Sequence, residues 1–213
     1  IQKAHAGLLS PFQVGRVHRF KKGSGLPIPV PVVDLMEIGA GGGSIARMSK
    51  MGLLQVGPES AAADPGPVCY ARGGEQPTVT DADLLLGYLD PGYFLGGTMP
   101  LDKPGAERAM AEKVAKPLGT SIVEAAFGIH DLINETTAAA AKTHIAEKVG
   151  NPKIVTISAF GGAGPLHACD IADALGMKGV IVPPHPGLSS AFGTLVADLR
   201  VDQLLDADFA RLV

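Results

Sequence analysis

The sequence predicts an α/β fold with a mixed sheet and flanking helices, and three segments carry that prediction. Residues 153–182 read as a strand, a glycine loop, a helix and a second strand. A long capped helix over 121–149 precedes this unit, and a hairpin over 45–56 lies nearer the start. Apolar strands that alternate with helices are typical of a parallel or mixed sheet with right-handed crossovers.

The first hundred residues are rich in Gly and Pro and read as short extended pieces and turns. Gln13–Phe20 alternates weakly, and the three prolines in Pro27–Val33 favour an edge or polyproline-like segment. A brief apolar run, Val32–Ile38, reads as a strand that leads directly into a glycine loop, and the hairpin that follows turns near Lys50–Gly52. Thr80–Gly87 has the pattern of a short capped helix that ends at its glycine.

Two helices follow in the middle of the chain. Pro104 fits a first helical turn, and the helix it begins runs to about Leu118, where Gly119 closes it. Ser121 and Glu124 form a capping box that begins the long helix, about eight turns at 3.6 residues per turn. We therefore expect one domain in three parts: a Gly/Pro-rich, β-rich part (1–100), a helical part (101–150) and a β-loop-α-β part (151–213).

Composition and charge exclude several classes of protein. The hydrophobic fraction is 46 % and the charged fraction 18 %, so the chain can bury a core and is not intrinsically disordered. The formal net charge of −3 offers no basic field for nucleic acid. No apolar run approaches the roughly 18 residues that span a bilayer. The two cysteines, Cys69 and Cys169, form no CxxC motif and fit a reducing, cytoplasmic setting.

Two glycine-rich loops are the candidate ligand sites. In Gly161–Gly164, glycines 161, 162 and 164 lack a Cβ atom, so the backbone can approach a phosphate, a ribose or an adenine edge before a helix start. Gly39–Ser44 is more extreme, with glycines at 39, 41, 42 and 43. Neither loop is a Walker A or G-x-G-x-x-G motif. A tight strand-to-helix turn and a wide turn between hairpin strands are the alternatives that need no ligand.

The titratable candidates lie close to these loops in sequence. His167 is three residues past Gly164, where the helix dipole disfavours the imidazolium; a capping or core histidine is the alternative. Asp81 and Asp83 could coordinate Mg²⁺ or cap turns, and capping is the commoner use. Glu59 is a further carboxylate in a sparsely charged stretch.

The remaining histidines have weaker patterns. His130 and His144 lie fourteen residues apart on the long helix, too distant to share a metal, and read as ordinary helix positions. His185 lies in a proline-rich loop at a strand end, where a structural role is favoured. Ser190 is not part of a G-x-S-x-G elbow, so a serine hydrolase is disfavoured.

Several longer motifs, in one order along the chain, resemble the hydantoinase A/5-oxoprolinase family. They cover most of the chain, from about Val32 to about Asp202. The motifs are Glu37–Ala46, Val56–Ser60, Ala63–Pro67, Cys69-Tyr70, Pro77–Ala82, Ala159–Ala168, Val182-Pro183, Pro186-Gly187 and Ser190–Gly193.

The resemblance implies an actin-like, sugar-kinase-like ATPase fold that closes on ATP and Mg²⁺ (or Mn²⁺). Members of the family include ATP-dependent hydrolases of 5-oxoproline and hydantoins, and subunits of acetone and acetophenone carboxylases. By resemblance, Gly161–Gly164 meets the nucleoside and Gly41–Ser44 lines the cleft near phosphate or substrate. The expected partners are a B-type subunit and a small cyclic amide or ketone, in an oligomer.

The site residues predicted on this basis fall into three groups. We expect catalytic roles for His167, Asp81 and Glu59, and metal ligation by Asp81 and Asp83. The nucleotide contacts are expected at Gly41, Gly42, Gly43, Ser44, Gly161, Gly162 and Gly164. A ketone carboxylase subunit, or a scaffold without catalysis that docks a B-type subunit, are the alternatives.

The sequence departs from the family pattern in three respects. No GGT-type phosphate loop precedes Gly39, so we expect that these 213 residues alone do not hydrolyse ATP. Position 62 is Ala where the family usually has Gly, a costly exchange if this residue needs a positive φ. Position 83 is Asp where Asn is commoner, which replaces a neutral ligand by a charged one.

Overall fold

The computed structural model describes residues 37–148 and 151–198, together with four two-residue strands before them. The chain divides into two units, one of Ile1–Met36 with Gly193–Val213 and one of Glu37–Phe192. In the first unit, β1 (Leu9–Ser10) pairs antiparallel with β4 (Val32–Val33), and β2 (Gln13–Val14) pairs antiparallel with β3 (Pro27–Ile28). The extended pieces predicted there are confirmed where they are described, and the remainder of Gln13–Phe20 lies outside the described residues.

The predicted hairpin opens the second unit. Strand β5 (Ser44–Met48) pairs antiparallel with β6 (Leu54–Ser60), and the turn between them closes where Leu53 accepts a hydrogen bond from the Ser49 N–H. Within the run that leads into Gly39–Ser44, Val32–Val33 forms β4, and Glu37 and Ile38, directly before the loop, lie exposed outside any strand. The prediction that this loop directly follows a strand is therefore wrong: the loop leads into one.

A short helix after the turn-rich stretch is the element on which the site is built. Helix α1 (Val79–Leu85) begins at Thr78, which forms a capping box with Asp81, and not at Thr80 as the sequence suggested. Short 3₁₀ segments, Val68–Tyr70 and Phe94–Gly97, flank it.

The two middle helices confirm the sequence prediction. Helix α2 (Lys103–Met110) is capped by Asp102 and continues through a π-helical turn (Ala111–Ala115) and a last α-helical turn (Lys116–Leu118). Gly119, at φ +69°, ends this run because a left-handed C-cap favours glycine. Helix α3 (Ile122–Lys148) starts from the predicted capping box, in which Ser121 and Glu124 exchange hydrogen bonds.

The β-loop-α-β unit is confirmed, with shorter strands than predicted. Strand β7 (Thr156–Ser158) pairs in parallel with β8 (Gly179–Ile181), and helix α4 (Gly164–Leu175) joins them. The predicted strand from Lys153 to Phe160 is cut short because Pro152–Ile154 forms a 3₁₀ turn capped by the Asn151 side chain. A 3₁₀ turn (Pro186–Leu188) precedes the last described helix, α5 (Ser189–Val196).

The main core lies where α1, α2 and α3 pack on the hairpin. Its buried side chains are all apolar, most of them small or branched, and come from these helices and the hairpin. They are Ala46, Val79, Ala82, Met110, Val114, Ala115, Ala125, Ala126, Ile129 and Ile133.

Within the described part of the chain, no helix combines the length and apolar character that crossing a membrane requires. Ala62 has φ +54°, so the left-handed conformation considered for that position is confirmed.

Candidate functional site

The first glycine loop is anchored to the start of α1. The backbone N–H and the hydroxyl of Thr80 both donate to the carbonyl of Gly42, at 2.8 and 2.9 Å. Within the loop, the N–H of Gly41 donates to the Ser44 Oγ, and the N–H of Ser44 donates back to the Gly41 carbonyl. The loop conformation is therefore set by α1 as well as by its own glycines.

The two glycine loops meet in space. A Cβ atom built on Gly42 would lie 3.6 Å from the Cβ of Ala163, in the loop before α4. A Cβ on Gly41, Gly161, Gly162 or Gly164 would meet no atom of the described chain within 4 Å, so the backbone is open at those four positions. Open backbone at a helix start fits the approach of an anionic or planar ligand such as a nucleotide.

A small groove borders the first loop. It has a volume of about 230 Å³ and is lined by Gly39, Gly41, Gly43, Ser44, Pro58 and Ser60, together with two apolar neighbours. Ligand pockets of drug-sized molecules are commonly about 300–1,000 Å³. The groove is thus the size of a phosphate or a small ring, not of a whole nucleotide.

Asp81 has its full set of hydrogen-bond partners inside the protein. Its Oδ2 accepts hydrogen bonds from the Val68 N–H, the Thr78 N–H and the Thr78 hydroxyl, at 3.2, 2.8 and 2.9 Å. Its Oδ1 accepts from the Cys69 N–H at 2.8 Å, and the side chain is fully buried. These contacts fix the 3₁₀ turn and the start of α1, and they leave the catalytic and metal roles predicted for Asp81 without geometric support.

Asp83, two residues later, faces imidazole rings instead of backbone. Its Oδ1 lies 2.8 Å from Nδ1 of His130 on α3, and its Oδ2 lies 3.4 Å from Nε2 of His167 on α4. The two rings stack with centroids 4.7 Å apart, and the three residues are 1 %, 1 % and 7 % exposed. Asp83 therefore joins α3 and α4 to α1 through two buried histidines.

The outer nitrogens of both histidines have acceptors as well. His130 Nε2 lies 2.9 Å from Asp170 Oδ2, and His167 Nδ1 lies 2.8 Å from Asn134 Oδ1. Asn134 donates from Nδ2 to the same Asp170 oxygen at 3.0 Å, which fixes the orientation of its amide. His167 Nε2 is buried and has no hydrogen-bond partner among the described residues, since its contact with Asp83 is too poorly aligned to be a hydrogen bond.

A magnesium ion at Asp81 and Asp83 does not fit these surroundings. Mg²⁺ requires oxygen ligands in near-ideal octahedral geometry. Asp81 offers no free oxygen, and Asp83 is flanked by nitrogen donors. The two carboxylates also point to different partners although they are only two residues apart.

The structure brings together some of the predicted site residues and separates others. Asp83 and His167 come within 3.4 Å, and the two glycine loops are adjacent. Glu59 instead forms an exposed ion pair with Arg47 across the hairpin, and its catalytic role stays a prediction.

Sequence reasoning missed His130, which lies at the centre of the cluster. The signal was present in the sequence: His130 and Asn134 are four residues apart within the apolar stripe of α3, next to Ile129 and Ile133. Two polar side chains that interrupt a buried stripe need buried partners. On α4, Asp170 lies one turn after His167, and it supplies that partner.

Burial also affects the pKa of two groups beside Asp81. Burial, reinforced by the Asp81 carboxylate, raises the pKa of the Cys69 thiol well above its usual range. Burial likewise raises the pKa of the Tyr70 hydroxyl. Both side chains therefore stay protonated and neutral at physiological pH, as expected of packing residues.

Comparison with known proteins shows relatives along nearly the whole chain. The family model described as hydantoinase/oxoprolinase matches residues 9–203. The chain is 42 % identical to the caprolactamase subunit alpha of Pseudomonas jessenii, over 87 % of this chain and 27 % of the relative. It is also 42 % identical to the acetophenone carboxylase gamma subunit of Aromatoleum aromaticum, over 81 % of this chain and 23 % of the relative.

Two solved structures from the same kinds of enzyme also resemble this chain. A nucleotide-free acetone carboxylase, described as ATP-dependent, matches with a TM-score of 0.74 and 35 % identity, over 81 % of this chain and 24 % of that one. An ATP-dependent caprolactamase from Pseudomonas jessenii matches with a TM-score of 0.73 and 38 % identity, over 87 % and 28 %. The chain spans about a quarter of the length of these proteins.

Proposed function

The chain belongs to the hydantoinase/oxoprolinase family, and we propose that it forms part of the ATP-binding subunit of an enzyme that hydrolyses a cyclic amide of the hydantoin or 5-oxoproline type. In this proposal the whole subunit has an actin-like ATPase fold, of which the described helices and strands are one part. One observation supports it most directly: the two glycine loops meet at Gly42 and Ala163, with open backbone on both sides.

The two loops would hold the nucleotide. Gly161 and Gly162, before α4, and Gly164, its first residue, are proposed to approach the nucleoside, and Gly41–Ser44 are proposed to line the cleft near the phosphates or the substrate. When bound, ATP supplies a phosphoryl group that can activate an unreactive amide carbonyl. The protein would contribute the positioning of the ligand, because the Thr80 contacts hold Gly42 in place beside the second loop.

His167 is proposed as a positioning residue of this site. It lies in the first turn of α4, directly after the second glycine loop, and its ring contacts Asp83 and Asn134. These contacts tie the start of α4 to α1 and α3. The loop that precedes α4 is thereby held at a defined place, which a catalytic site on a loop requires.

Hydrogen exchange on the complete protein tests nucleotide binding. We expect a non-hydrolysable ATP analogue to slow amide exchange in both loops, 39–44 and 161–167, and to leave the hairpin turn at 49–53 unchanged. Protection in only one loop would contradict a shared site. No protection in either loop would favour a scaffold without nucleotide contact.

Product analysis tests the reaction. The complete enzyme, incubated with ATP and a cyclic amide such as caprolactam, 5-oxoproline or hydantoin, is expected to release the ring-opened amino acid or ureido acid together with ADP and phosphate. Mass spectrometry detects the gain of one water in the product. Absence of ring opening with all three amides, while ATP binds, would reject the hydrolase proposal.

Ketone carboxylation is the second candidate, because a carboxylase subunit is as similar to this chain as a lactamase subunit is, at 42 % each. Labelled bicarbonate with acetone or acetophenone separates the two. Label fixed into a β-keto acid would establish the carboxylase. The relatives are named as subunits alpha and gamma, so we propose a B-type partner subunit in a hetero-oligomer.

A further inference from the structure

The four ring nitrogens of His130 and His167 all face oxygen acceptors. Two of them, His130 Nδ1 and His167 Nε2, converge on the Asp83 carboxylate at 2.8 and 3.4 Å. The other two face Asp170 and Asn134. A neutral imidazole has one N–H and one lone pair, so two neutral rings leave two lone pairs directed at oxygen. Such an arrangement calls for a cation.

We propose that a divalent transition-metal ion of the zinc class binds Asp83, His130 Nδ1 and His167 Nε2. These three residues offer ligand atoms within 4.8 Å of one another. Ligand atoms around a tetrahedral zinc lie about 3.3 Å apart, because each metal–ligand bond is about 2.0–2.1 Å. The distances from the two Asp83 oxygens to the nitrogens, 2.8 Å from Oδ1 to His130 Nδ1 and 3.4 Å from Oδ2 to His167 Nε2, lie on either side of that spacing. The ion gives the unpartnered, buried His167 Nε2 the partner that it lacks.

The outer partners of both histidines match those of metal-bound histidines. A ligating histidine usually donates its other N–H to a carboxylate or a carbonyl, which fixes the tautomer and the ring orientation. Here His130 Nε2–H donates to Asp170 at 2.9 Å, and His167 Nδ1–H donates to the Asn134 carbonyl oxygen at 2.8 Å. Both tautomers leave a lone pair on the nitrogen that faces Asp83.

The donor set selects the class of metal. Two imidazole nitrogens and one carboxylate suit zinc and its first-row neighbours, whereas Mg²⁺ and Ca²⁺ prefer oxygen ligands only. Charge also balances, because one divalent ion offsets the two carboxylates, Asp83 and Asp170, while both histidines stay neutral. The ligands come from α1, α3 and α4, so the ion fastens three helices and holds the turn that follows the second glycine loop. This inference does not rest on the proposed function.

Metal analysis of the complete protein, after chelation and dialysis, tests the site. Zinc added back is expected to bind, to raise the melting temperature and to show two imidazole nitrogens and no sulfur in the X-ray absorption spectrum. Cobalt(II) as a probe is expected to give the visible absorption of a low-coordinate site. Because partner subunits can carry metals of their own, the decisive quantity is the difference between variant and wild type.

Two matched pairs of variants assign the ligands. His130→Gln and His167→Gln are each expected to lose one zinc equivalent per chain, whereas His144→Gln, the same exchange on the same helix as His130, is expected to keep it. Asp170 is half-exposed (54 %), so Asp170→Ala should fold; it is expected to weaken zinc binding by about 10- to 100-fold, as for other outer partners. Asp173→Ala, also on the exposed face of α4, is expected to leave affinity unchanged.

Several outcomes would overturn the proposal. One is that wild-type protein, shown by circular dichroism to be folded, binds no more zinc than the His167→Gln variant does. Another is undiminished affinity in Asp170→Ala together with an absorption spectrum that lacks imidazole. If the histidine variants fail to fold, zinc binding is tested by comparing Asp170→Ala with Asp173→Ala and by the X-ray absorption spectrum of the wild type. Neither measurement requires the histidine variants.

Discussion

Asp81 and Asp83 are two buried carboxylates on the same short helix, and their surroundings differ completely. Asp81 accepts four hydrogen bonds, three of them from backbone N–H groups, and fixes the 3₁₀ turn before α1. Asp83 faces only imidazole rings, and one of those rings has an unpartnered nitrogen. A carboxylate surrounded by backbone donors stabilises a turn, whereas one surrounded by titratable rings is available for chemistry.

The difference shows why spacing in sequence is a weak guide to a shared site. Successive side chains on a helix point about 100° apart, so residues two positions apart face almost opposite directions. Asp81 points to the turn at Val68 and Cys69, and Asp83 points to α3 and α4. The two carboxylates therefore have different roles, and five experiments probe that difference and the surroundings of α1.

The largest effect is expected from isosteric amide variants of the two residues. Asp81→Asn places an NH₂ group against the Cys69 N–H or against the Thr78 donors, and should lower the free energy of unfolding by about 3 kcal/mol. Asp83→Asn can direct its NH₂ group at the lone pair of His167 Nε2 or, flipped, at that of His130 Nδ1, and it removes a buried charge, so in metal-free protein it should change stability by less than about 1 kcal/mol. Urea denaturation measures both. Equal losses of stability in Asp81→Asn and Asp83→Asn would contradict the different roles inferred for the two carboxylates.

The next effect concerns the glycine loop attached to α1. In Gly42→Ala the new methyl group would lie 2.7 Å from the Thr80 Oγ, displace the hydroxyl from the Gly42 carbonyl and cost about 2 kcal/mol. Nucleotide affinity should fall with it. Gly41→Ala is the control for stability alone, because its Cβ would meet nothing in the described chain within 4 Å while it faces the proposed nucleotide cleft. A Gly41 variant as unstable as the Gly42 variant would contradict this account of the loop.

A smaller effect is expected at the N-cap of α1. Thr78→Ala removes one donor to Asp81 and the cap of the helix, and should cost about 1 kcal/mol, measured by thermal or urea unfolding. Thr78→Ser keeps the hydroxyl and should recover most of that loss. If Ser gives no recovery, the methyl group and not the cap stabilises this turn.

The smallest effect is chemical and uses the two cysteines, one beside Asp81 and the other next to Asp170, the partner of His130. Cys69, whose N–H binds Asp81, is buried, whereas Cys169 on α4, next to Asp170, is exposed. At neutral pH iodoacetamide should therefore modify Cys169 and spare Cys69 in folded protein, as peptide mass spectrometry would show. Comparable rates would contradict the burial of Cys69.

The raised pKa of the Cys69 thiol gives the same region a pH dependence. The folded chain keeps the thiol protonated, while the unfolded chain ionises it above its ordinary pKa of 9.0. The stabilisation is thus present below that pH and is lost as the pH rises above it. Unfolding curves between neutral and alkaline pH measure this loss, which Cys69→Ala should diminish.

Most of the described secondary structure could be predicted, because its signals are local. Capping at Ser121 and Glu124, the helix end at Gly119 and the hairpin turn near Lys50–Gly52 each depend on a few adjacent residues. The errors were at strand ends, such as the 3₁₀ turn Pro152–Ile154, where a proline and an asparagine cap compete with pairing. The family, too, follows from motifs that are contiguous in sequence, and the comparisons confirm it.

The candidate site could be predicted only in part. His167, Asp83 and the glycine loops were found because each stands beside a recognisable motif. His130 was missed because no motif stands beside it: its only local signal is its place with Asn134 in the apolar stripe of α3, and its partners are 47 and 40 residues away. Asp81 was assigned to the same metal site as Asp83 because both are acidic and only two residues apart. Sequence alone does not reveal which hydrogen-bond donors surround each carboxylate.

The sequence by itself therefore determined the family, the order of helices and strands, and the places where the backbone is open to a ligand. Those properties depend on residues that are neighbours along the chain, through capping, glycine freedom and apolar periodicity. The tertiary structure alone decided that Asp81 supports a turn while Asp83 meets two histidines, and that the two glycine loops lie side by side. The physical reason is that partners of buried polar groups are chosen by packing between distant segments, which no local pattern encodes.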